Sequence, residues 1–334
     1  LKNQENRKSL YHLIFSFLAC CFLVLISYLI VANKQYIVDQ ITVWQYKPSQ
    51  EVLALVERAG MSESGKFIYL ASEPKLDGTQ NFNSECNRVE NVTSILGCYS
   101  DGKIFIYDVT DSQLDGIREV TASHETLHAV YDRLNLEKRE KLNKLLDREY
   151  EKLKNDENFS QIIAYYDKAE PGQFHNELHS LIGTKILNIN PELESYYKKY
   201  FVDRSKVVAL DEKYSTVFSL LENKAKELIE KMNTLSDSIS NKKEEYNNTS
   251  LALSNEINEF NKKANDGDFV SQSDFYYQRS ILTNKVSLLN ILRDEINNDI
   301  KEYNGILKEY NSIASQSEKL YNSIDSTLAP APSI

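Results

Sequence analysis

Two histidines four residues apart, with a glutamate beside the first, make His124-Glu125-Thr126-Leu127-His128 the most chemically loaded stretch of this chain. On a helix, positions i and i+4 share a face, so both imidazoles can reach one Zn²⁺ at ~2.0–2.1 Å. Glu125 then falls where it can take a proton from water activated by such a metal and pass it to a leaving amine. The surroundings add to this short match. A run rich in β-branched and aromatic residues precedes it, and Val120, Leu127, Val130 and Leu134 give the helix an apolar face. Of the five histidines, His12 lies in an apolar run. The other four form two i, i+4 pairs, His124/His128 and His175/His179, each with a glutamate between. Histidines used only on surfaces or as satisfied core residues would be scattered.

A catalytic zinc needs a third protein ligand and an open position for water. The residues after His128, VYDRLNL, contain neither Gly nor His, so the third ligand must come from elsewhere. The candidate is Glu177, in Asn176-Glu177-Leu178-His179-Ser180. Here the chain resembles the gluzincin class of zinc metallopeptidases, whose third ligand is a Glu on a later helix, often in an Asn-Glu-x-x-Ser/Ala setting. The resemblance runs from about Lys66 to Ile186 and is carried by HETLH and NELHS. It implies Zn²⁺ held by His124, His128 and Glu177, with Glu125 as general base and a protein or peptide as substrate. The spacing from His128 to Glu177 is longer than in the thermolysin type. The region also resembles uncharacterised bacterial membrane-anchored proteins with HE-x-LHA-x-YDRL and ELHS-x-x-GT motifs, which say nothing of substrate. A competing ligand set uses His175 or His179. Residues i and i+2 lie about 200° apart on a helix, so Glu177 and these histidines cannot all face one metal. By resemblance, the strand before the metal helix, Lys103 to Val109, or the segment beside it, would pair with an extended substrate.

Few breakers, six Pro and ten Gly in 334 residues, point to a mainly α fold with a small β-sheet (α+β). Residues 10–32 are almost unbroken apolar sequence, enough for a transmembrane helix. Lys2, Arg7 and Lys8 precede it, so the positive-inside rule places residues 1–9 in the cytoplasm and the bulk of the chain outside. The run is long for a signal-peptide core and lacks a small-x-small cleavage site, which favours an uncleaved signal-anchor. Tyr36 to Gly60 reads as a connector and a short helix with a glycine stop. Lys66 to Leu70 and Lys103 to Val109 read as strands, with turns between them. Helices are expected from near Asp115 through Leu134, over Leu136 to Lys154, over Ser160 to Ala169, over Phe174 to Leu187 and from Pro191. Residues 33–206 would then be the zincin-like metallopeptidase domain.

Beyond Val207, apolar residues recur at 214, 218, 221, 225, 228, 232, 235 and 239, and again from Leu282 through Tyr310. Alternating steps of four and three mark a heptad seam. Polar Asn265 to Asp274 separates the seams, so residues 207–324 are expected to form an antiparallel coiled-coil hairpin able to bind a protein partner. Parallel self-association is the alternative. Residues 325–334 read as a disordered tail. Cys86 and Cys98 lie in a polar region expected outside the cytoplasm, where a disulfide can persist; two separate thiols are the other reading. The net charge of −10 and the lack of a basic face argue against a nucleic-acid partner. Two functions remain: an extracytoplasmic peptidase tethered to the membrane, or an envelope adaptor whose coiled coil matters most and whose zinc site is structural or degenerate. Glu125 favours the first, because a structural site needs no base.

Overall fold

The computed structural model describes residues 2–86, 96–156, 159–164 and 172–326. It is mainly helical, with one three-stranded sheet, and divides into two compact units, 1–216 with 322–334, and 217–321.

The first unit opens with α1 (Lys2–Ala32). Its segment Phe15–Ala32 has a mean hydropathy of 2.6, no buried share, and the length and composition to cross a membrane. Only Asn33 separates it from α2 (Lys34–Gln45), where the sequence suggests a connector. α2 is held in place by tertiary contacts: Asp39 is buried and ion-paired to Arg133. α3 (Gln50–Arg58) is capped by Ser49, which accepts from Val52 N–H, and ends near Gly60, at φ +69°.

The expected strand Lys66 to Leu70 is instead part of a helix, α4 (Glu63–Ala71). Ser62 caps it by accepting from Gly65 N–H, and Glu63 sits in its first turn, where a carboxylate favours a helix. Its buried positions Gly65 and Tyr69 are four apart, the helical period. Gly65 lies against the Tyr200 carbonyl, where a Cβ would come within 2.2 Å. Packing therefore overrides the strand propensity of KFIYL.

β1 (Lys75–Asp77), β2 (Gly97–Ser100) and β3 (Lys103–Tyr107) form a sheet in the order β1-β3-β2. β1 is parallel and β2 antiparallel to the central β3. Asp101 and Gly102, both with positive φ, make the tight β2–β3 turn. Between β1 and β2 lies α5 (Thr79–Glu85); a disulfide joins Cys86, just past its end, to Cys98 on β2. That bond sits in a small apolar cluster with Phe82 and Phe105.

α6 (Ile117–Asp132) runs through the middle of the unit. α7 (Leu136–Leu153), capped by Asn135, follows it. Residues 159–164 are helical; 165–169 of the expected Ser160–Ala169 helix, like tail residues 327–334, lie outside the described residues. Next come α8 (Phe174–Lys185) and α9 (Pro191–Tyr197), which starts at a proline behind the Asn190 cap. Ala122, Leu127 and Ala129 of α6 join Leu178, Leu181 and Ile182 of α8 and Tyr197 in one core.

The chain ends in two long helices, α10 (Ser205–Asp266) and α11 (Gln272–Ile324). In the second unit they lie antiparallel. Lys224 meets Glu309 at 3.3 Å, Lys242 meets Asp299 at 2.9 Å and Lys285 meets Glu256 at 2.5 Å. Leu221, Leu228, Leu253 and Ile296 are buried between them. Near the reversal, the rings of Phe260, Phe269 and Phe275 stand 5.1–5.2 Å apart.

Candidate metal centre

The site forms where α6 crosses α8. His124 and His128 are one turn apart on α6, their rings edge to face at 4.7 Å. Glu177 projects from α8 between them, with Oε2 3.5 Å from His124 Nε2 and Oε1 3.3 Å from His128 Nε2. One ligand atom from each of the three residues lies within 4.8 Å of the others. A tetrahedral zinc with bonds of ~2.0–2.1 Å has ligand–ligand edges of ~3.3–3.4 Å. The two histidine–glutamate separations are of that size but fall on different carboxylate oxygens, so the carboxylate spans both imidazoles; two imidazoles with one carboxylate are a donor set zinc accepts in catalytic sites. The side chains of His124, His128 and Glu177 are 12%, 9% and 3% exposed, so the cluster is largely buried.

Local contacts set the ring of His128. Its Nδ1 lies 3.0 Å from Asn176 Oδ1 and 3.3 Å from Ser180 Oγ. The Asn176 amide nitrogen donates to Gln173 Oε1, which turns its oxygen toward the imidazole. Nδ1–H therefore donates to Asn176, and the lone pair on Nε2 points at the cluster. The residues on either side of Glu177 on α8 thus orient a ligand on α6. Asn176 and Ser180 lie within the NELHS segment, but only the packing of the two helices shows what they touch.

Neither His175 nor His179 belongs to the cluster. His175 pairs with Asp147 at 2.8 Å near the surface of α7. His179 is fully buried, stacked 5.4 Å from Tyr197 and flanked by Tyr131 and Tyr196. Burial first, and the neighbouring His128 second, push its pKa down to about 3, so it is a neutral packing residue. Glu177 is the one of the three α8 candidates within ligand distance of both α6 imidazoles.

Glu125 is buried on the face of α6 beneath β2. Gly97 lies so close that a Cβ there would stand 2.8 Å from Glu125 Oε1 and 2.5 Å from Thr121 Cγ2. Only glycine allows the strand to approach this closely. Nothing in the single sequence distinguishes Gly97 from an ordinary turn glycine. Tyr107 N–H donates to Leu96 O, so the ladder bonds fall at Leu96, Cys98 and Ser100, and Gly97 and Tyr99 turn their N–H and C=O outward. Among the described residues no strand pairs with that outer edge, whereas β3, the first of the two segments the sequence offered, is paired on both sides, which leaves the segment beside it.

Farther along α6, Arg133 caps the helix end. Its guanidinium donates to Ala129 O at 2.9 Å and to both carboxylate oxygens of Asp39, at 3.0 and 2.9 Å. Tyr99 on β2 lies 3.3 Å from Arg133 Nη1 and donates to Asp132 at 3.1 Å. Comparison of the chain with protein families, curated proteins and solved structures gave no match, so the functional reading rests on this geometry.

Proposed function

We propose that this chain is a membrane-anchored, zinc-dependent peptidase acting outside the cytoplasm, its centre built from His124, His128 and Glu177 with Glu125 as general base. The observation that carries the reading is the convergence of Glu177 from α8 on both histidines of α6, with one ligand atom from each of the three within 4.8 Å of the others. A bound Zn²⁺ supplies Lewis acidity, polarising a carbonyl and lowering the pKa of water to about 7. His128 is oriented by Asn176 and Ser180, so its Nε2 needs no reorganisation to bind. Glu125 lies one residue after His124, where its carboxylate takes the proton of the attacking water and gives it to the leaving amine. The outward N–H and C=O groups of Gly97 and Tyr99 offer an extended peptide a strand to pair with beside Glu125. The Cys86–Cys98 disulfide supports an oxidising, extracytoplasmic location. The antiparallel pair α10–α11 is read as a coiled-coil hairpin that selects a partner or substrate.

The test uses full-length protein in detergent. Elemental analysis should give one zinc per chain, and a peptide library should be cleaved unless a chelator is present. Glu125→Gln should keep the zinc and lower kcat by about 10²–10⁴, the usual contribution of a general base. Glu177→Ala should lose zinc, while His175→Ala keeps it. Purified protein without bound zinc, or a Glu125→Gln variant as active as wild type, would overturn the reading.

A further inference from the structure

The helix that leaves the membrane segment is tied by one side-chain chain to both walls of the proposed site. Asp39, on α2, is 4% exposed, although α2 follows α1 after a single residue. Its carboxylate receives two hydrogen bonds from Arg133, at 3.0 and 2.9 Å, and one from Gln35 at 3.0 Å. This two-pronged geometry fixes the plane of the guanidinium. The same guanidinium holds the last turn of α6 through Ala129 O and meets the Tyr99 hydroxyl. Tyr99 and Gly97 are i and i+2 on β2, so they face the same side of the strand. That side is α6: Gly97 rests on Thr121 and Glu125, and Tyr99 on Asp132 and Arg133.

A four-residue strand is short for holding a register alone. β2 is fixed near one end by the disulfide at Cys98 and near the other by the hydroxyl of Tyr99. Only the second attachment leads back toward the membrane segment. We infer that Asp39, through Arg133 and Tyr99, is a positioning residue: the helix leaving the membrane sets the distance between β2 and Glu125, and with it the fit of an extended peptide to the strand. This rests on the peptidase reading and extends it. The chain from Tyr36 to Gln45 becomes part of the substrate site, rather than a tether whose composition is immaterial.

The arrangement separates binding from metal chemistry. The partners shown for Asp39 and Tyr99 are Gln35, Arg133 and Asp132, and none of these is a proposed ligand, so zinc content should not change when Asp39 or Tyr99 does. What changes is the strand. The experiment compares Asp39→Asn, Asp39→Glu and Tyr99→Phe in the full-length protein. Tyr99→Phe keeps the ring and guards against misfolding of the charge variants. Zinc content, KM and kcat for a cleaved peptide, and hydrogen exchange at the β2–β3 amides are measured in each.

Asp39→Asn and Tyr99→Phe should raise KM about tenfold, the scale of one lost hydrogen bond to a charged group. Zinc stoichiometry should stay at the wild-type value and kcat within about twofold, while exchange at Cys98 and Ser100 quickens. Asp39→Glu should recover part of the KM, because it restores the charge. The double variant Asp39→Asn with Tyr99→Phe should be no worse than the poorer single one, because both break the same route. A KM unchanged in both single variants, or a fall in kcat with KM and exchange unaltered, overturns the inference. If wild-type protein cleaves no peptide, it is the peptidase reading that fails. Exchange at Cys98 and Ser100 then decides the coupling by itself: quickened exchange in both variants upholds it, and unchanged exchange refutes it.

Discussion

At the scale of single residues, a missing atom at Gly97 matters as much as the proposed ligands. With any side chain there, the first carbon would overlap Thr121 and the carboxylate of Glu125. Gly97→Ala should therefore displace either β2 or Glu125, because neither contact is the loose end of a long, exposed side chain. The expected result is a loss of peptide cleavage of at least about tenfold, since an ångström of misplacement at the reacting atoms costs that or more. Zinc content should be unchanged, because the atoms nearest a Cβ at Gly97 belong to Thr121 and Glu125, neither of them a proposed ligand. Full cleavage by a folded Gly97→Ala variant would show that the strand does not approach the base as described. How much was legible at this scale differs by residue. His124 and His128 could be brought forward as a candidate metal pair because zinc chemistry restricts residue type and helical spacing together, and the structure brings Glu177 into a cluster with them. The order among Glu177, His175 and His179 followed from resemblance, since spacing alone left it open. The contacts of Gly97, Asn176 and Asp39 were not legible: each bridges elements distant in sequence, and a single chain carries no record of which surfaces meet.

At the scale of elements, α6 and α8 were readable from the breakers before them, Gly116 and Pro171-Gly172, and from the long runs with few further breakers that follow, although both helices are buried on nearly every side. α4 was not, because a short run with Phe, Ile, Tyr and Leu satisfies strand and helix alike, and packing of Gly65 and Tyr69, together with the Ser62 cap, decided between them. α9 is the backing of the site. It delivers Tyr197 under α8, where the hydroxyl donates to His179 O at 2.7 Å, and Tyr196 against the His179 ring. Burial holds the Tyr196 and Tyr197 hydroxyls well above their ordinary pKa of 10.0, with Tyr200 and Tyr131 raised as well. The folded state keeps these protons above pH 10, while the unfolded chain releases them. Stability must then fall as pH rises through and beyond 10, by up to about 1.4 kcal/mol per pH unit for each such group. Following phenolate absorbance and helical circular dichroism together should show a set of tyrosines that ionise only as the helices melt. Tyr197→Phe should make the alkaline decline shallower. If all 21 tyrosines ionise before any helix is lost, the α9 backing is not buried as described.

At the scale of the whole molecule, the question is whether the long helices form a unit of their own. Their seam repeats in alternating steps of four and three, and the side chains of Leu221, Leu228, Leu253 and Ile296 are buried on it. A single amphipathic helix of this length would leave that stripe in water, whereas two facing stripes remove apolar area worth ~25 cal/mol per Å². The ion pairs between the helices add less: side chains such as Lys285 and Glu256 are over 40% exposed, and such pairs contribute at most about 1 kcal/mol. The apolar seam therefore decides the outcome. The fragment 207–324 should be strongly helical by circular dichroism, unfold cooperatively, and have a melting temperature that does not change with concentration, because both partners are in one chain. An unfolded fragment would show that the seam cannot hold the helices together alone. A helical fragment whose melting temperature rises with concentration, and whose scattering fits an elongated parallel oligomer, would keep the heptads but remove the hairpin. In the full-length protein, replacing 217–321 with a short Gly/Ser linker should leave zinc content as it was, since every ligand lies before Thr216. If cleavage of a short peptide also persists while the set of cellular proteins cut changes, the two helices choose what reaches the centre and take no part in its chemistry.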